Sequence, residues 1–195
     1  FSVDYYQGGH ALLTLADGGR YLVVPENAAP PEGIAPEIRV LRLPIDRIYL
    51  VATASMCLFD GLDALDHISL SGTKAQDWYI NGAKSAMQSG TILYAGKYSA
   101  PDYELLLSRQ CDLAVESTMI YHTPEVKEKL EELGVPVLVD QSSHEPHPLG
   151  RTEWIKLYGV LVGEEETAER LFQEQVAYLE SVAGQENTGK TVAFF

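Results

Sequence analysis

Residues 111–140 read CDLAVESTMIYHTPEVKEKLEELGVPVLVD. The stretch opens on a plain apolar run, CDLAV, and closes on another, VPVLVD. Between them, TPEVKEKLEELG carries the marks of a surface helix. Thr123 can cap its start, Pro124 suits the first helical position and Gly134 suits the position just past its end. Val126, Leu130 and Leu133 fall on one stripe, and Glu125 and Lys129 sit four apart on the other face. Two continuously apolar strands joined through a helix make a βαβ unit, whose strands run parallel and are covered on both faces.

The same alternation extends outward. Upstream lie RIYLVA (47–52), a helical stretch near 58–65, HISLSG (67–72), the helix QDWYINGAKSAMQ (76–88), TILYAG (91–96) and a helix over 101–107. Downstream a helix is expected over 149–162. Five strands alternating with five helical stretches predict an α/β fold, a Rossmann-like parallel sheet with helices on both faces. Residues 1–43 have a different rhythm. FSVDYYQ, HALLTLA and RYLVVPE are short runs split by Gly8-Gly9 and Asp17-Gly18-Gly19, which predicts an antiparallel β-hairpin region. A proline-rich loop, NAAPPEGIAPE, leads to one more strand, IRVLRLP. After the sheet a long helix is expected over 164–182, with Ala168, Phe172, Val176 and Leu179 on one side, spanning roughly 28 Å. AGQENTGK breaks it, and TVAFF at 191–195 reads as a new strand, the first of a further lobe of which this chain is a fragment.

The chain has 195 residues with 28 acidic and 14 basic side chains, a net charge of −14. Such a balance, without Lys/Arg clusters, argues against nucleic acid, whose phosphates need a basic face. No stretch approaches the roughly 18 apolar residues of a membrane span. Cys111 opens an apolar run and reads as a small buried hydrophobe; with Cys57 as the only other cysteine there is no disulfide scaffold. A chain opening on Phe1 is expected to have lost any initiator or export signal.

Ligands of open parallel sheets bind beyond the carboxyl ends of the strands. The loops at that edge are TASMC, GTKAQDW, GKYSA, STMIYHT and QSSHEPHPLGR; those at the other edge, LDALD, QSG, SRQ and ELG, are turn chemistry. Capping explains hydroxyls but not aromatic, thioether and imidazole groups. The ligand-binding candidates are therefore Met56, Lys74, Trp78, Lys97, Tyr98, Met119, Tyr121, His122, Ser143, His144, His147 and Arg151. Ser117, His122 and Asp140 could form a hydrolytic triad, but no G-x-S-x-G elbow, G-x-G-x-x-G or P-loop is present. His144, Glu145 and His147, with His122 and Glu116 on a neighbouring loop, could hold a divalent ion; His144 and His147 are the metal candidates.

At this point the order of parts resembles class III solute-binding proteins of ABC importers. RIYLVATASMCLFDGLDAL (47–65) is similar to their first strand and helix. YAGKYSAPDYELLLSRQCDLAVES (94–117) resembles their passage of a glycine, a loop, a proline-led helix and a "pDLvi" strand. LEELGVPVLVD (130–140) resembles the next helix and strand, and the long helix fits the one that joins their two lobes. The resemblance covers about residues 47–195. Residues 1–43 lie outside it and read as an added N-terminal β-hairpin extension; the resemblance implies an N-terminal ligand-binding lobe (44–163), an interlobe helix (164–183) and the start of a truncated second lobe (184–195). It further implies a non-enzymatic, extracytoplasmic protein, held at the membrane by a lipid anchor outside this chain. Such a protein captures a metal complex between its lobes and delivers it to a permease. Glu104 matches the acidic residue that docks with the permease. There is no intrinsic cofactor. The ligand expected is a ferric complex of the siderophore type, with haem or a corrinoid (cobamide) as the alternative, since Met119, Tyr121 and His122 could each be axial ligands. Lys74, Lys97 and Arg151 suit an anionic chelate or propionates. The rival of another class is a Rossmann-like metal-dependent enzyme using His122, His144 and His147.

Overall fold

A computed structural model of the chain describes residues 1–183 and 189–191. The expected strand at 191–195 lies, beyond Thr191, outside the described residues.

The parallel sheet forms as the alternation predicts. Its strands are β5 (Ile48–Leu50), β6 (Ile68–Ser71), β7 (Leu93–Tyr94), β10 (Leu113–Ser117) and β11 (Val137–Asp140), in the order β11-β10-β5-β6-β7. All neighbouring pairs are parallel. In chain order this is the 3-2-1-4-5 arrangement of doubly wound sheets, so the winding reverses between β5 and β10. The two faces are buried by different helices. Ile48, Leu50, Leu113, Val115 and Leu138 join a core with Phe59 of α1 (Met56–Gly61), Ala83 of α2 (Asn81–Ser89) and Trp154, Leu157 and Tyr158 of α5 (Pro148–Val162). Tyr49, Leu70, Ala114, Val137 and Val139 point the other way, against Leu106 of α3 (Tyr103–Ser108) and Val126 and Leu130 of α4 (Pro124–Glu132). Period-2 alternation along strands with no polar face produces this double burial. The long helix α6 (Glu165–Ala183) packs Ala168 and Phe172 onto the first core, while Leu179 and Val182 remain exposed.

Residues 1–43 form a second sheet of β1 (Ser2–Tyr5), β2 (Ala11–Thr14), β3 (Arg20–Val24) and β4 (Ile38–Arg42). The first three strands are antiparallel, as expected. β4 instead runs parallel to β3, because the loop 25–37 carries the chain back across the sheet before it re-enters. This sheet shares a core with the α/β layer through Ala11, Leu13, Tyr21, Val23 and Leu41. The Tyr21 hydroxyl donates to the Val137 carbonyl of edge strand β11 at 2.6 Å, and Arg39 pairs with Glu131 of α4 at 2.6 Å. The second sheet thus covers an edge that would otherwise be open.

Local details depart from the sequence reading in instructive ways. The helix expected from Gln76 begins at Asn81, because Ala75–Asp77 forms a 3₁₀ turn and Trp78 is drawn into the core. A small hairpin, β8 (Gly96–Lys97) and β9 (Ala100–Pro101), precedes α3, whose cap is Asp102, accepting from the Leu105 amide at 3.0 Å. Gly96 has φ +84, and a Cβ there would overlap the Ala100 carbonyl oxygen. Thr123 does not cap α4; its hydroxyl is buried without a partner. Lys129 pairs with Glu132 rather than Glu125. Residues Thr118–His122, part of the expected loop STMIYHT, form a 3₁₀ helix that buries Ile120.

Candidate functional site

The carboxyl edge of the parallel sheet is built on three buried anchors. The first is Ser71, at the end of β6: its hydroxyl donates to the Thr73 carbonyl and accepts from the Thr73 amide and the Trp78 indole, at 2.9, 3.0 and 3.3 Å. The second is Asp140, at the end of β11. One carboxylate oxygen accepts from the Ser142 amide and hydroxyl at 3.0 and 2.6 Å, and the other accepts from the Tyr158 hydroxyl. Burial, then the neighbouring Asp140, pushes the Tyr158 phenol well above its usual range, so it stays a donor. The third is Tyr49, whose hydroxyl donates to the Gly96 carbonyl at 2.8 Å and fixes the β8–β9 hairpin.

On this base the predicted residues divide. Met56 and Trp78 do not reach the surface; Met56 is fully buried and Trp78 is 5% exposed, both inside the core. Neither is the rim contact expected from sequence, because the core takes large apolar side chains that fit it. Met119 and Tyr121 are 44% and 47% exposed on the 3₁₀ turn, and His122 is exposed beside them. Lys74 is exposed, with its ammonium 5.5 Å above the Tyr94 ring, and Lys97 is exposed on β8 next to half-buried Tyr98. Ser143, His144 and His147 are exposed on the last loop and Arg151 is exposed in the first turn of α5, but two of the four are engaged locally. The His147 ring accepts from the Leu149 amide at 3.1 Å and caps α5, and Arg151 donates to the Glu145 carbonyl at 3.2 Å.

The proposed metal cluster is not assembled. His144 Nε2 lies 3.0 Å from the Thr118 hydroxyl, Glu145 accepts from the Trp154 indole at 3.1 Å, and Glu116 is buried inside the fold. Among the described residues no group of three or more His, Cys, Asp or Glu side chains is placed to hold a metal ion. The Ser117–His122–Asp140 triad is not assembled either: the Ser117 hydroxyl accepts from the Met119 amide, and Asp140 is committed to Ser142 and Tyr158. Cys57 and Cys111 are both free, the first exposed and the second buried. Glu104 is exposed in the first turn of α3.

Three features go beyond the sequence reading of the site. Tyr79, next to buried Trp78, is 98% exposed; an adjacent aromatic pair gives one ring to the core and one to solvent, and sequence does not say which. Asp17, in the β2–β3 turn, reaches the rim from the other sheet and accepts from the Tyr121 hydroxyl at 2.7 Å. Only tertiary packing makes that contact. Burial and the Asp17 hydrogen bond together push the Tyr121 phenol up to about 12. Asp17, Thr118, Tyr121, Gln141 and His144 line an open hollow of about 370 Å³. The third feature is Glu116, read only as a remote metal donor. It sits two residues before the turn with 0% exposure and no partner for either carboxylate oxygen, and burial raises it to about 8.

Among the described residues the rim therefore offers phenols, imidazoles, a thioether and two exposed ammonium groups, without a nucleophile held against a base. No family model matches the chain. It is 22% identical over 175 residues to an uncharacterised lipoprotein, MJ0878, of Methanocaldococcus jannaschii, covering 82% of this chain and 40% of the relative. A second lipoprotein of that organism, MJ0872, is 25% identical over 185 residues, covering 91% and 46%. The chain thus spans less than half the length of the curated relatives it matches. Among solved structures, a periplasmic haem-binding protein from Pseudomonas aeruginosa superposes with a TM-score of 0.56 at 19% identity, over 71% of this chain and 46% of that one. The molybdate-binding protein MolA of Haemophilus influenzae gives 0.58 at 17%, over 71% and 48%. An Fe3+-hydroxamate transport protein from Saccharomonospora viridis gives 0.53 at 22%, over 71% and 50%. The likeness is one of fold: this chain adopts the α/β architecture of the class III periplasmic binding proteins of ABC importers, over about half the length of each.

Proposed function

We propose that residues 44–163 are the N-terminal lobe, and residues 164–183 the interlobe helix, of an extracytoplasmic solute-binding protein that serves an ABC importer. The carboxyl edge is one wall of its ligand cleft, and residues 1–43 buttress that wall. The observation that carries this reading is the switch point between β5 and β10, with the loops after all five strands gathered on one rim, in a fold shared with periplasmic binding proteins. The role is capture and delivery, not chemistry. The relatives' description as lipoproteins supports a lipid anchor and an extracytoplasmic location; among the described residues no helix is long and apolar enough to cross a membrane.

The ligand is a metal complex, in our reading a ferric chelate of the siderophore type. Lys74 and Lys97 supply point charges for an anionic complex, and Tyr79, Tyr94, Met119 and Tyr121 supply apolar and aromatic surface. Arg151, turned onto the Glu145 carbonyl, is the weakest of the three expected cations. Haem or a cobamide is the second reading, favoured by exposed Met119 and His122. Tyr121 fits axial ligation poorly, because its hydroxyl already serves Asp17. The test is the optical spectrum of the whole protein purified from its native host. A ferric charge-transfer band supports the first reading, and a Soret or corrinoid band the second. A colourless protein that takes up none of the three on titration would end both. In the whole protein, Tyr121→Ala and His122→Ala should each weaken binding by about 1–3 kcal/mol where a buried hydrogen bond is lost.

A further inference from the structure

The second sheet has two apolar faces. One lies on the shared core; the other exposes Leu12, Leu22 and Val24 to the loop 25–37, which arches over them. The loop does not close the face. Between loop and sheet remains a hollow of about 410 Å³, floored by Leu12, Leu22, Ile34 and Ile38. It has no residue in common with the hollow at the rim. A histidine holds it open: His10 Nδ1 lies 3.1 Å from the Gln7 carbonyl and Nε2 lies 3.1 Å from the Ala29 carbonyl, tying the turn after β1 to the arching loop.

Two side chains of opposite charge, Arg20 and Glu32, line it. Arg20 forms an ion pair with Glu37 at 3.6 Å, too long for a hydrogen bond, so its guanidinium keeps its donors for a further anion. Glu32 lines the same hollow, and among the described residues it takes part in no ion pair. The volume lies in the range of small-molecule sites, roughly 300–1,000 Å³. An apolar floor fixes the body of a ligand, and separated charges fix its head. We infer that this hollow binds a small apolar zwitterion, an α-amino acid with a hydrophobic side chain, its carboxylate on Arg20 and its ammonium on Glu32. This does not depend on the function proposed for the rim.

The test is amide NMR of the isotopically labelled chain titrated with L-phenylalanine, with 3-phenylpropionate lacking the ammonium and phenethylamine lacking the carboxylate as companions. L-Phenylalanine should shift Leu12, Leu22, Ile34 and Ile38 and leave residues 117–122 and 141–144 in place. Each companion should bind less tightly by roughly fivefold, the upper range for a half-exposed ion pair. Arg20→Gln and Glu32→Gln should each erase one of those differences, and Ala35→Trp, which fills the hollow, should abolish binding. No shift at millimolar amino acid, shifts confined to the rim, or equal binding of either companion would overturn the inference.

Discussion

Glu116→Gln removes the one carboxyl group that, among the described residues, is buried with neither oxygen partnered. Its position explains the cost. The residues before it on β10 belong in a doubly covered sheet, and Glu116 pairs in register with Val139 of β11 where a valine would suit equally. Burial alone raises the group from 4.5 to about 8. A carboxyl raised in the folded state favours folding only while it is protonated. Below about pH 4.5 both states hold the proton and nothing is lost. Between that value and about pH 8 the unfolded chain ionises and the folded chain does not, so stability falls as pH rises. The full shift corresponds to about 5 kcal/mol at 1.36 kcal/mol per unit, of which about 2–3 kcal/mol falls between pH 5 and pH 7. Glutamine has the same shape and does not titrate. Urea denaturation of both proteins at pH 5 and pH 7 isolates the linkage, because every other group titrates alike in the two. The advantage of Glu116→Gln should grow by about 2–3 kcal/mol from the lower pH to the higher. Parallel stability–pH curves would show that Glu116 is solvated or partnered in the folded chain, and the reasoning from burial would fail.

Asp17→Asn should bring the Tyr121 phenol down from about 12, though not to 10, since burial is the larger cause; an ultraviolet titration of the difference between the two proteins reads this, and an unmoved phenol would break the Asp17–Tyr121 contact. Gly96→Ala should lower thermal stability by more than about 1 kcal/mol, because a Cβ there meets the Ala100 carbonyl at a positive φ; an unchanged melting temperature would mean that the β8–β9 hairpin is formed differently. In the whole protein Glu104→Ala should leave ligand affinity unchanged and impair uptake, while lost affinity with normal uptake would move Glu104 from the permease to the ligand.

The layering was legible because it rests on pattern. Apolar runs too continuous for a one-sided sheet, spaced by helical periods, leave few arrangements, and the five strands and the long helix fall where the period changes say. Residues 1–43 were legible as strands but not in their last pairing. The direction of β4 depends on the path of the loop 25–37, which its prolines constrain but do not aim. The rim was legible as a place and less so as a set of side chains. Strand ends fix which loops converge. Whether Trp78 or Tyr79 faces solvent depends on the Ser71 hydroxyl that catches the indole, a contact across seven residues with no periodic signature. Asp17 was invisible as a rim residue for a simpler reason: it is 104 residues from the tyrosine it holds, and in sequence it is only a turn.

The charge of the chain bears on what such a rim could hold. A net charge of −14 repels an anionic complex at long range. At physiological ionic strength that field is screened beyond about 8 Å, whereas contacts at the rim are shorter than that. On the reading proposed above, Lys74 and Lys97 would act on a bound ligand almost alone, and both stand at the β6–β8 side. The opposite side carries Asp17, Tyr121 and His144 and no free cation among the residues lining its hollow. The wall is therefore polarised along the strand order. An anionic complex lying across it would set its charge towards Lys74 and Lys97 and its neutral, hydrogen-bond-accepting surface towards the Tyr121 end. A buried anchor lies under each half of the wall, Ser71 with Trp78 under one and Asp140 with Tyr158 under the other. On that reading, the residues that would orient a ligand are carried by buried groups it would not touch.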